Sequence, residues 1–118
     1  MNITNANEEI NQLMIKSGDA KLCEQAFKLS QTKAKEHGII MTDVQQKSLL
    51  SHLSAMVHRS LTGEKLPAID QSIFAGVSSE SIATAKAVKD SLDYLDEDEI
   101  YLLSIHFEAA KQNSMLDY

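Results

Sequence analysis

The sequence has little with which to turn or to cross-link. One cysteine, one proline, four glycines and no tryptophan stand among its 118 residues. A lone Cys23 cannot close an internal disulfide, and without paired thiols there is no ligand set for structural zinc. An unpaired thiol fits the reducing cytosol, the expected location. No run approaches the roughly 20 apolar residues of a membrane span. The opening MNITNANEEI lacks the basic start and apolar stretch of a signal peptide. Basic residues are also few: eleven Lys and Arg face seventeen Asp and Glu, a net charge of −6 with no basic run. Such a chain suits neither a nucleic-acid phosphate backbone nor a membrane, and no direct contact with either is expected.

What is present reads as one helical domain. At 43% hydrophobic and 24% charged, the composition is that of an ordinary globular chain. A chain of this size buries something like two-thirds of its unfolded surface without staples. So few prolines and glycines leave long helices as the natural product. Ile10, Leu13 and Met14 make a short stripe on an N-terminal arm, residues 1–15. Leu22, Cys23, Ala26, Phe27, Ser30 and Ala34 recur at helical steps and predict a helix from near Asp19 to Gly38. Thr42 and Gln45 form a T-x-x-Q capping box for the next helix. Its inward stripe is Leu49, Leu50, Leu53, Met56, Val57 and Leu61, ended by Gly63. Pro67 is expected in the first turn of a short segment carrying Ile69, Ile73 and Phe74 and stopping at Gly76. Ser78 or Ser79 caps a helix with Ile82, Ala85, Val88, Leu92 and Leu95 inward. Asp96 and Glu99 propose a D-x-x-E box for the last helix, with Leu95 and Ile100 as its hydrophobic staple. The expected fold class is all-α: a compact bundle of about five helices over residues 16–118, plus the short N-terminal helical arm.

None of the phosphate-loop, dinucleotide, zinc-protease or hydrolase motifs occurs. The candidates for chemistry are four histidines. On a helical wheel His52 falls about 40° outside Met56, at the edge of the apolar stripe. Arg59, seven residues on, lies within roughly 20° of it and about 10 Å further along the axis. A boundary imidazole can be presented to a partner, and a guanidinium can hold an added phosphate bidentately. On the wheel alone, a half-buried histidine bonded to a neighbour is the more economical reading. His106 sits at the margin of the stripe Ile100, Leu103, Phe107 and Ala110, and by itself reads as a core histidine. His58, and His37 beside a helix-ending glycine, read as surface residues. No two histidines are four apart, so only a cross-helix His52–His106 pair joined by Glu99 or Glu108 would hold a metal, and none is expected. The acidic run from Asp93 to Glu99 complements a helix dipole. Cys23 on an apolar stripe reads as packing. A histidine acting as general base beside a carboxylate is the best enzymatic case. With no nucleophile motif or cofactor loop, neither catalytic residues nor a cofactor is expected.

Two segments, SLLSHLSAMVHRSLTGE and DEDEIYLLSIHFEAA, together resemble the PTS regulation domain, or PRD, of bacterial transcriptional antiterminators and activators. The first carries His52, Leu53 and Arg59; the second carries Glu99, Ile100 and Tyr101, then Ile105, His106 and Phe107. The intervening LTGEKLPAI and ESIATAKAVKDSL also fit, so the likeness spans roughly residues 16–113. It implies a five-helix domain that works as a dimer. It further implies that His52 and His106 are phosphoacceptors, with Arg59 supporting the phosphate. The implied donor is the general phosphocarrier protein or a sugar-specific EIIB domain of the phosphotransferase system. The chain departs from the family at Ser51, where Asp is frequent, and at Glu108, where a second His is frequent. Output is expected in trans, through a homodimer or a regulator partner. The alternative is a degenerate PRD that only dimerises or binds a partner.

Overall fold

Apolar residues at steps of three and four close into five α-helices: α1 (Ile3–Lys16), α2 (Ala20–Glu36), α3 (Asp43–Thr62), α4 (Ser79–Asp90) and α5 (Asp98–Leu116). A 3-10 helix, Gln71–Phe74, lies between α3 and α4. The computed structural model describes residues 3–116, and among them there is no strand. The fold is the expected all-α bundle.

Most boundaries follow from local chemistry. Asp19 caps α2, accepting from the Leu22 N–H at 3.0 Å. The Thr42–Gln45 box closes in both directions: the Gln45 N–H donates to Thr42 Oγ1 (3.2 Å) and the Thr42 N–H to Gln45 Oε1 (3.0 Å). Gly63 ends α3 at φ 77°, with its N–H on the Arg59 carbonyl at 2.9 Å. A side chain resists that left-handed conformation, which is why glycine stands there. Ser78 caps α4 through the Ser81 N–H.

Four expectations are corrected. Helix α4 ends at Asp90, so Leu92 and Leu95, expected on its inward face, reach the core from the turn that follows it. Pro67 is not in a helical turn; it lies in the irregular stretch 63–70, and the short helix starts behind an Asp70 cap on the Ser72 N–H. Leu61 is 50% exposed rather than inward. The buried places near it go to Ser54 and Ser60, whose hydroxyls donate to the Leu13 and Asp93 carbonyls at 2.6 Å each. Finally, the Asp96–Glu99 box does not form. Asp96 faces Lys65 (3.3 Å), the Glu99 N–H donates to the Asp96 carbonyl, and the Glu99 carboxylate turns inward to Arg59. A buried guanidinium is a stronger partner than a solvated backbone N–H.

The long helices pack as a ring in which α3 touches α2 and α5, and α4 touches the same two from the other side. Helix α1 lies across α3 and α2, with Ile10, Leu13 and Met14 against the core. A Lys47–Glu9 ion pair links α3 to α1. The centre is Leu49, Leu50, Leu53, Met56 and Val57 of α3, Cys23 and Ala26 of α2, Ala85 and Val88 of α4, and Leu103, Phe107 and Ala110 of α5. Cys23 is fully buried, the packing role expected of it.

The turn from α4 into α5 holds one strained residue. Tyr94 sits at φ 62°, a conformation that costs a bulky L-residue of order 1–2 kcal/mol, although its side chain is 78% exposed. Lys65 Nζ bonds its carbonyl at 2.8 Å, and Ser60 holds the preceding one. Tyr94→Gly is expected to raise stability by about 0.5 kcal/mol, because relief of strain exceeds the entropy glycine adds to the unfolded chain. Urea unfolding checks this; a loss of stability would mean that the exposed ring makes contacts that matter.

Candidate functional site

Helices α3 and α5 run antiparallel and meet along a seam that alternates apolar layers with polar rungs. Leu49, Leu53 and Met56 face Leu103, Phe107 and Ala110, all buried. Every seventh residue breaks the apolar series, at 45, 52 and 59 on α3 and at 99, 106 and 113 on α5. These residues pair across the seam. At one end, Asn113 Nδ2 donates to Gln45 Oε1 (2.7 Å) and Gln45 Nε2 to Asn113 Oδ1 (3.2 Å). In the middle, the His52 and His106 rings meet edge to face with centroids 4.9 Å apart and planes at 69°. At the other end, Arg59 Nε and Nη2 donate to Glu99 Oε2 and Oε1, both at 2.7 Å. A seven-residue repeat keeps one helix face on its partner, so each rung lies about 10 Å, two turns, from the next.

The middle rung brings together the two histidines singled out in the sequence. Both are half-buried. His52 Nε2 is enclosed and has no hydrogen-bond partner among the described residues. Burial, then the neighbouring His106 and the Arg59 charge, bring the His52 pKa down from 6.5 to about 4. Burial lowers His106 as well. At neutral pH His52 is therefore an uncharged ring with one nitrogen lone pair free. A lone pair on nitrogen is what a histidine needs to act as a nucleophile.

The Arg59–Glu99 rung is the part that sequence reasoning missed. Arg59 was expected to be available to phosphate; in the structure its guanidinium is bidentate on a carboxylate whose side chain is only 2% exposed. Glu99 was read as a helix cap. The seven-residue spacing of polar residues within both apolar stripes is the signal that could have found Glu99, Gln45 and Asn113. Glu108 is also engaged elsewhere: it accepts from the Ser78 N–H (3.1 Å) and from Ser78 Oγ and Ser81 Oγ (2.7 and 2.8 Å) at the start of α4. Those bonds hold its carboxyl below the usual range. Both carboxylates considered as metal partners of the histidines are thus committed to other groups. Among the described residues, no three His, Cys, Asp or Glu side chains gather as a metal-binding group. His37 and His58 are exposed, as expected. A cavity of about 370 Å³ opens between α1 and α3, where Lys16, His58 and Arg59 line it with Ser51 and Glu64. No helix of the described residues is long and apolar enough to cross a membrane.

Comparison with known proteins places the chain in a family. The PRD domain family matches residues 28–110, a span that contains His52, Arg59, Glu99 and His106. Among solved structures, the chain is similar to a PRD-containing transcription regulator from Lactobacillus casei. The identity is 37% and the TM-score 0.83, over 89% of this chain and 94% of that one. Comparison with curated proteins gives no match. The family match covers most of the chain, and the similar regulator superposes over 89% of it: the chain belongs to the PRD domain family.

Proposed function

We propose that the chain is a non-enzymatic regulatory module of transcription that is phosphorylated on His52 and His106 and acts on its partners through protein contacts. The observation that carries this reading is the edge-to-face histidine pair, in which an uncharged His52 is held on the seam between two helices. In the step proposed, the lone pair of the neutral ring attacks the phosphorus of a donor's phosphoryl group. A P–N bond forms as the donor's bond to phosphorus breaks. The leaving group takes back the electron pair and a proton, and the acceptor ring gives up its remaining N–H proton in return. The donor is the phosphocarrier protein or a sugar EIIB domain. Because Nε2 of His52 is enclosed, attack from that atom requires the packing around it to open. A product carrying nearly two extra negative charges does not repack in the same way. The seam thus converts a covalent mark into a change of helix packing, which a second copy of the chain or a regulator partner reads in trans.

A second reading, an interaction-only PRD that dimerises without phosphorylation, is favoured by the commitment of Arg59 to Glu99 and by the covered Nε2. Phosphotransfer separates the two. The protein is incubated with phosphoenolpyruvate, enzyme I and phosphocarrier, with and without EIIB, and weighed intact. A gain of about 80 Da per phosphoryl group, up to two groups, is expected; it should be acid-labile, reduced in His52→Ala or His106→Ala and absent in the double variant. No gain with any donor, in a protein that still self-associates, would establish the interaction-only reading.

A further inference from the structure

The polar ladder places one cation between two claims. Arg59 is bonded twice to Glu99, and it stands two turns from His52 on the same face of α3. Side chains on a helix lean toward its N-terminus, and on α3 that is the direction of His52. The Arg59 charge is already felt at the His52 ring. Glu99, by contrast, leans away from His106 toward the start of α5, where it is the second residue of the helix. The first turn of any helix has N–H groups without intrahelical partners. Here that turn is tied down by the Glu99–Arg59 pair and by backbone bonds from Glu99 and Ile100 to the Asp96 and Glu97 carbonyls. Behind it lies the irregular turn with the strained Tyr94.

We propose that Glu99 holds Arg59 in reserve and surrenders it when negative charge arrives on the histidine rung, so that a phosphoryl group on His52 draws the guanidinium away and releases the first turn of α5. This deepens, and rests on, the reading of His52 as a phosphoacceptor. A phosphoryl group offers a guanidinium more charge and more acceptor oxygens than a carboxylate does. The abandoned carboxylate, 2% exposed where it stands, is then buried without a partner and reaches water only if the helix start opens. Glu99 is a positioning residue: it acts through Arg59 and does not touch the phosphoryl group.

The exchange is testable without a phosphoryl donor, by placing a fixed carboxylate on the middle rung. Thermal and urea unfolding are measured for the wild type, His52→Glu, Glu99→Gln and the double variant. Each single substitution is expected to destabilise. The double variant is expected to be coupled, with an unfolding constant at least fivefold smaller than the product of the single effects, because Arg59 trades one carboxylate for the other. Coupling of less than fivefold would overturn the proposal, since a merely structural Glu99 predicts losses that nearly multiply. If His52→Glu alone does not fold, the double variant is expected to fold, and its failure overturns the proposal equally. Hydrogen exchange supplies the second readout. In folded His52→Glu the amides of residues 98–102 should exchange at least tenfold faster than in the wild type, with α2 and α4 unchanged; wild-type rates at 98–102 would sink the idea. A coupled cycle in a protein that no donor phosphorylates would remove the phosphoacceptor reading and leave the exchange standing. Phosphorylation alongside multiplicative losses would do the reverse.

Discussion

Arg59→Ala is expected to cost about 3–5 kcal/mol of folding stability, the typical loss when one member of a buried ion pair is removed. The reason is not the strength of the pair itself. Removal of both charges from water is costly, and much of their attraction only offsets that cost. Truncation of Arg59, however, strands the Glu99 carboxylate at 2% exposure with no cation. Arg59→Lys should recover only part of the loss, because an ammonium cannot reproduce two parallel 2.7 Å bonds. The double variant Arg59→Met, Glu99→Leu should come within about 1 kcal/mol of the wild type, because an apolar pair of similar volume carries no desolvation cost. Equilibrium urea unfolding of the four proteins checks all three expectations. An Arg59→Ala loss below about 1 kcal/mol, the scale of an exposed pair, would show that water reaches Glu99 freely.

Acid should weaken the protein before its carboxylates titrate. His52 is held at a pKa of about 4 in the fold against 6.5 for an ordinary histidine. Between those values the unfolded chain binds a proton that the folded chain refuses, so stability rises with pH across the window. The full contribution is present above about pH 6.5 and is lost as pH falls toward 4. At 1.36 kcal/mol per pH unit the loss amounts to about 3 kcal/mol. His106, lowered by burial, adds to the same slope. The carboxylates behave differently. Glu108 is held below 4.5 by Ser78 and Ser81, and its contribution is lost only further into acid. The urea midpoint followed from pH 7 to 4.5 therefore isolates the histidine rung. His52→Gln should flatten most of that slope, and a wild-type curve that is already flat over this range would mean that the pair opens to water in solution.

Both results bear on function through the same seam. An enclosed, neutral His52 is chemically ready and sterically covered, while the cation suited to a phosphoryl group is engaged two turns away. On the proposed reading, the response to phosphorylation starts at the seam between α3 and α5.

Much of this seam was half-written in the chain. Thr42 with Gln45, Asp19, Gly38 and Gly63 marked helix ends because a cap needs only residues a few places apart. The stripe from Leu49 to Val57 identified the buried face of α3, since a 3.6-residue period is visible in any single helix. The same reasoning failed at Leu61, where the last turn of α3 leaves the core, and at Asp96 and Glu99, where a local cap lost to a distant cation. His52 and His106 were noticed as boundary residues, and their likeness to PRD motifs suggested a shared role. Nothing in a helical wheel states that their rings meet.

By itself, then, the sequence determined what each segment could become: the long helices, most of their ends, and two stripes each broken by a polar residue at every seventh position. Those properties depend on backbone propensity and on neighbours within two turns, and such interactions are encoded in order along the chain. Tertiary structure alone decided which polar residue faces which: Gln45 with Asn113, His52 with His106, Arg59 with Glu99. The partners lie forty or more residues apart, and their register is set by how the leucine, methionine and phenylalanine layers between them close without voids. That packing turned an apparently free Arg59 into a committed one and an apparent helix cap into its counter-ion.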